Sequence, residues 1–168
     1  MLEILNKIKD SENSSGVGYY ETFMVDDIVV KRYDLDHYED QFDDDIQKHI
    51  DLDEENLIPR MISNFVYNGF GYLVIEKISC LNDPYRKGKV SNSYGTFAQE
   101  KYQPDNFWDF VEELRNDLAC FDYMLDDEII DNFGWKGKTF MCLDEGCLRK
   151  IEFDKEDFGD ISWNDDND

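Results

Sequence analysis

Positive charge is scarce in this 168-residue chain, with 17 Lys and Arg set against 40 Asp and Glu for a net charge of -23. A surface so biased repels phosphate, which argues against direct nucleic-acid binding and against docking on anionic membranes. Histidine is scarcer still, with only two residues, His37 and His49. They stand twelve residues apart with no nucleophile in a recognisable motif beside them, so packing and polarity are their expected roles. Long apolar runs are missing, and the opening MLEILNKIKD lacks the uninterrupted core of a secretory signal, so neither export nor a membrane span is expected. The expected location is cytoplasmic, the host cell cytoplasm if a phage encodes the chain. Four cysteines, Cys80, Cys120, Cys142 and Cys147, are then reduced thiols rather than a disulfide framework.

Hydrophobic residues make up 41% of the chain and aromatics 15%, enough for one real core despite the charge. Gly, Ala, Arg and Pro are few while Phe, Tyr, Ile, Asn and Lys abound, a skew expected of AT-rich genes in low-GC bacteria and their phages.

The pattern predicts an α+β fold: a single domain over 1–153, followed by an acidic C-terminal tail over 154–168. Leu2, Leu5 and Ile8 share one face of a short N-terminal helix. Tyr19 to Tyr33 reads as a β-hairpin turning at Asp26-Asp27, with Phe23, Val25, Ile28 and Val30 on one face and Lys31 on the other. In the acidic stretch from Asp34 to Glu55, Tyr38, Phe42, Ile46 and Ile50 recur every four residues and predict a helix with one buried stripe. A second helix is expected from Pro59, burying Met61, Ile62, Phe65 and Val66 and stopping at Asn68-Gly69. Tyr72 to Cys80 is apolar on both faces, as a central strand would be, and Leu81 to Gln103 reads as a long loop. Phe107, Phe110, Val111, Leu114, Leu118, Phe121 and Leu125 define the core helix, capped by Asp105. A short helix near Asp126 to Phe133 and a second hairpin turning at Asp144-Glu145-Gly146 complete a mostly antiparallel sheet of about five strands, two hairpins plus a central strand, packed by helices.

Several chemical motifs fail on context. Gly137-Lys138-Thr139 resembles the end of a phosphate-binding loop, but position 132 is Asn132 and a strand is expected to follow. Cys142 and Cys147 lack clear partners for a zinc site, and the tail's Asp154 to Asp165 puts Phe158 where a calcium loop needs a ligand. Pro104-Asp105 lacks the downstream half of a metal-nuclease motif. No metal, no cofactor and no catalytic residue are therefore expected, and the protein reads as non-enzymatic.

The charge itself is concentrated. Residues 34–55 hold eleven acids and one base, and residues 105–131 hold ten and one. As a helix rising about 1.5 Å per residue, the first block carries ten net charges over roughly 33 Å, a linear density like that of one DNA strand. The expected partner is a basic nucleic-acid-binding protein, a nuclease or a toxin, met by a DNA-mimic surface. The residues expected to carry it are Glu39, Asp40, Asp43, Asp44, Asp45, Asp51, Asp53, Glu54 and Glu55, with Asp109, Glu112, Trp108 and Trp163 beside them. In composition the chain resembles acidic anti-restriction and anti-CRISPR proteins, which implies a non-enzymatic inhibitor. A bacterial immunity protein or antitoxin neutralising a basic toxin would use the same electrostatics.

Overall fold

A computed structural model describes residues 1–10, 19–78, 107–126, 128 and 130–151. The expected long loop, the Asp105 cap and the acidic tail with Trp163 lie outside these residues. Within them, a helix α1 (Leu2–Asp10) precedes strands β1 (Tyr20–Val25) and β2 (Ile28–Asp34), helix α2 (Leu35–Leu52), and strands β3 (Met61–Tyr67) and β4 (Phe70–Glu76). The second half holds helix α3 (Phe107–Ala119), then β5 (Tyr123–Leu125), β6 (Phe133–Lys136), β7 (Thr139–Cys142) and β8 (Leu148–Lys150). The fold is α+β.

The first four strands form one antiparallel sheet in the order β1-β2-β4-β3. The β1–β2 hairpin turns at Asp26-Asp27, where Asp26 takes φ 51°. Alternation then divides the sheet's residues between two cores. Phe23, Val25, Val30, Tyr72 and Val74 meet Ile8 of α1 on one face, whereas Tyr33, Leu73 and Ile75 meet Phe42 of α2 on the other. β4 is thus buried on both faces, as its apolar run implies. At Gly71 the backbone passes so close under α2 that an added Cβ would lie 2.9 Å from the Phe42 ring.

Three expected elements are corrected. The helix from Pro59 is instead β3, and Asn68-Gly69, with φ 51° and 79°, is a hairpin turn rather than a helix stop. Asn-Gly suits such turns because both central residues need positive φ. The second hairpin also pairs differently: β7 pairs with β6 and β8 with β5, while Glu145–Cys147 forms a 3-10 turn between them. The short helix near Asp126 to Phe133 shrinks to a 3-10 turn, Ile130–Asn132. Around these short strands, Phe107, Val111, Leu114 and Leu118 of α3 pack with Tyr123, Leu125, Phe133, Cys142 and Leu148 into a third core.

Candidate functional site

α2 is turned differently from its expected stripe. Tyr38 has non-helical φ/ψ of -135° and 32°, which kinks the helix and breaks the four-residue register. Phe42 stays buried and Ile46 is half-buried against the same core, but Tyr38 and Ile50 are exposed, and the other buried residues of the helix are Asp45, Lys48, His49 and Leu52. Three polar side chains in a helix's buried face need partners or they cost stability.

Those partners come from β2 and from the turn after β7. Lys31, on the face of β2 opposite Val30, is 4% exposed and reaches across to this turn. Its ammonium pairs with the Glu145 carboxylate, lies 3.5 Å from Asp144 Oδ1, and donates to the Tyr20 hydroxyl at 3.1 Å. Glu145, fully buried, also accepts from His49 Nε2 at 2.5 Å, while its backbone carbonyl accepts from Lys48 Nζ at 3.1 Å. Lys48 binds Asp45 at 3.1 Å and Asp44 at 2.8 Å, and Tyr33 donates its hydroxyl to Asp45 at 2.8 Å. One ionic network therefore ties the sheet, α2 and the β7–β8 connection together.

The electrostatics follow from burial and pairing. Burial pushes the Glu145 carboxyl up, but Lys31 and His49 outweigh it and hold the carboxyl far below the usual range. Burial likewise works against the Lys31 ammonium, and Glu145, Tyr20 and Asp144 reverse it to a net rise. Asp45 moves upward, through burial first and then the neighbouring Glu145, with Lys48 and Lys31 opposing. Asp144 is the network's wet end, its side chain 37% exposed. It accepts from the Tyr20 hydroxyl at 2.5 Å and caps the turn by accepting from Gly146 N at 3.1 Å. Asn132 is close by in the chain's path: Leu143 N donates to its carbonyl at 2.7 Å.

No family model matches the chain, and no curated protein matches it in sequence. Solved structures do. One of WbdD superposes with a TM-score of 0.52 at 16% identity, over 84% of this chain and 34% of that one. Another, described as the bifunctional kinase-methyltransferase WbdD, gives 0.51 at 15% identity over 80% and 31%. The shared feature is a fold. The chain spans about a third of the length of those proteins.

Of the residues expected to meet a partner, Glu39, Asp40, Asp43, Asp44, Glu54, Glu55, Asp109, Glu112 and Trp108 are exposed. Asp45 is a correction, since it is fully buried in the network just described. Asp51 is half-buried and tied to Tyr123 at 2.8 Å and Lys150 at 2.7 Å. Burial raises its carboxyl pKa, but those two contacts and Gln47 bring it to a net lowering. Asp53 is half-buried too, with Oδ1 lacking a hydrogen-bond partner among the described residues. The exposed acids divide between α2 with its following turn and α3. Among the described residues no group of three or more acidic, Cys or His side chains is arranged to hold a metal, and no helix is long and apolar enough to cross a membrane.

Lys31, His49 and Glu145 were not among the expected site residues. The signal that could have found Lys31 and Glu145 is the combination of Ile28-Val29-Val30-Lys31 on a strand, Asp127-x-x-x-x-Asn132, and Asp144-Glu145-Gly146 twelve residues beyond Asn132, while nothing in the sequence marks His49. Singly, each is weak.

Proposed function

We propose that this chain is a kinase-type domain that binds a magnesium nucleoside triphosphate beside Lys31 and Asp144. The observation that carries the reading is Lys31 Nζ on β2 standing 3.5 Å from Asp144 Oδ1 across the fold. Protein kinases place a strand lysine, in a V-A-I-K sequence, on the nucleotide phosphates. They hold Mg²⁺ with the Asp of D-F-G and the Asn of a D-x-x-x-x-N loop. Ile28-Val29-Val30-Lys31, Asn132 and Asp144 repeat those residue types in that order. The WbdD likeness supports the fold, and its antiparallel sheet differs from the parallel sheet of doubly wound nucleotide-binding folds.

The ion fits the donor set in part. Asp144 would supply a carboxylate oxygen of the hard kind Mg²⁺ prefers, whereas the Asn132 amide donates to Cys147 Sγ at 2.9 Å and would have to turn to offer its oxygen; triphosphate oxygens and water would supply the rest. Bound there, the ion would neutralise phosphate charge. Lys31 would hold the phosphates as a point charge, and Tyr20, now bonded to Asp144, would have to yield its place. The chain departs from kinases in more than one place: Lys31 pairs with Glu145, at the Phe position of D-F-G, rather than with a glutamate of the helix, and Leu125-Asp126-Asp127 stands where kinases have H-R-D. Binding is therefore the proposal and phosphoryl transfer is not; Asp127, in the place of the kinase catalytic-loop Asp by sequence, lies outside the described residues. The test is titration with Mg²⁺ and a fluorescent ATP analogue. Saturable, Mg²⁺-dependent binding that Lys31→Met and Asp144→Asn each weaken at least tenfold is expected. No saturation by the wild type at millimolar analogue refutes the proposal.

A second reading is favoured by the exposure of Glu39, Asp40 and Asp43 along the outer side of α2. In it the chain is a non-enzymatic inhibitor occupying the nucleic-acid-binding surface of a basic nuclease, or an immunity protein neutralising a basic toxin. Such binding would be steep in salt and competed by DNA. Asp40→Lys with Asp43→Lys should abolish it; binding indifferent to salt and DNA rules it out.

A further inference from the structure

A pocket of about 260 Å³ opens between α3, β6, β7 and the turn after α2, and none of its lining residues belongs to the Lys31 network. Three aromatic side chains, Phe110 of α3, Trp135 of β6 and Phe140 of β7, line it. Phe110 and Trp135 meet nearly at right angles, 86° with ring centroids 4.9 Å apart, and Phe140 stands 5.2 Å from Trp135. All three rings are only half-buried. Glu113 and Asp117 of α3 and Glu55 of the turn after α2 line the same pocket and are exposed. One base, Lys138, joins them.

The arrangement is charged in a way the fold does not require. Glu113 and Asp117 stand one helical turn apart, a like-charge spacing that destabilises a helix by a few tenths of a kcal/mol. Among the described residues neither has an ion pair, nor has Glu55; Arg115, the neighbouring base on α3, is engaged with Glu128. An aromatic corner rimmed by three unpaired carboxylates is what an alkylammonium group prefers, because ring faces and carboxylates both attract a cation whose methylenes are apolar. The volume is smaller than the roughly 300–1,000 Å³ of drug-sized sites, which suits a single side chain.

We propose that this pocket receives a lysine side chain, methylated or not, from a basic polypeptide. The net charge of -23 favours such a partner at long range, and the aromatic corner supplies the short-range contact. The experiment is an NMR titration of the full chain, following the Trp135 indole N–H. The probes are acetyl-trimethyllysine amide, acetyl-lysine amide and the uncharged near-isostere acetyl-norleucine amide. Saturable shifts with both lysine probes, in a low millimolar range, are expected, with norleucine at least tenfold weaker. Glu113→Gln with Asp117→Asn, both at exposed positions, should weaken the lysine probes about tenfold while leaving the melting temperature in place. Equal binding of norleucine, lysine binding unchanged in the double variant, or no saturable shift overturns the proposal.

Discussion

Glu145→Gln is the substitution that tests the central network most directly. It keeps the side chain's shape and its capacity to bond His49, but it leaves Lys31, 4% exposed, without its buried counter-charge. Breaking a buried pair by removing one partner costs about 3–5 kcal/mol, because the survivor is stranded in low dielectric. Asp144, 3.5 Å away and partly solvated, recovers only part of that. A loss of about 3 kcal/mol is therefore expected in urea denaturation at pH 7, or roughly 6–12 °C in melting temperature for a chain of this length. The double variant Lys31→Met with Glu145→Leu removes both charges and should restore more than half of the loss. The acid limb gives a second readout. Glu145's folded pKa is depressed, so its contribution is present above the unfolded value of about 4.3 and is lost as pH falls towards the folded one. Asp45 acts oppositely, since its raised folded pKa makes it favour folding as pH falls. Glu145→Gln should consequently flatten the loss of stability below about pH 4.5. A cost under 1 kcal/mol, or a double variant whose loss equals the sum of its singles, refutes the argument.

Gly71→Ala would set a Cβ 2.9 Å from the Phe42 ring and should cost about 1–3 kcal/mol by overpacking, with Phe42→Leu in the same chain relieving part of it in chemical denaturation. Leu118→Ala, at a fully buried position of α3, should cost about 2–5 kcal/mol by the same assay. Trp108, 53% exposed, should tolerate Trp108→Ala within about 1 kcal/mol, and a larger loss in its melting curve would mean that its ring packs more than its exposure indicates.

Much of the first sheet was legible because its pattern is local. Phe23, Val25, Ile28 and Val30 alternate around a two-residue turn, and the structure keeps that register with Val25 opposite Ile28. α3 was legible for the same reason, its apolar residues repeating at helical spacing through Phe107, Val111, Leu114 and Leu118, but the stripe expected to run on to Phe121 and Leu125 stops with the helix at Ala119, and Leu125 falls in β5. β3 was not, because Met61, Ile62, Phe65 and Val66 fit a helical stripe as well as a half-exposed edge strand, and Asn68-Gly69 ends either one. Only pairing with β4 decides, and pairing is not local.

The ionic network was hidden for a deeper reason. Binary patterning assigns charged residues to the surface, so an acidic helix is read by finding its apolar stripe and turning the acids outward. α2 obeys this for Asp40, Asp43 and Asp44, but Asp45, Lys48 and His49 face inward because Lys31 and Glu145 arrive from elements far apart in the chain to meet them. No window of sequence contains both halves of that bargain. The acidic character that draws the eye to α2 is therefore two things at once: an outer face with the charge density a basic partner would meet, and an inner face whose charges cancel one another. Net charge describes only the first. The proposed nucleotide binding would depend on the second, since Lys31, already neutralised by Glu145, would have to exchange that carboxylate for phosphate to hold a nucleotide.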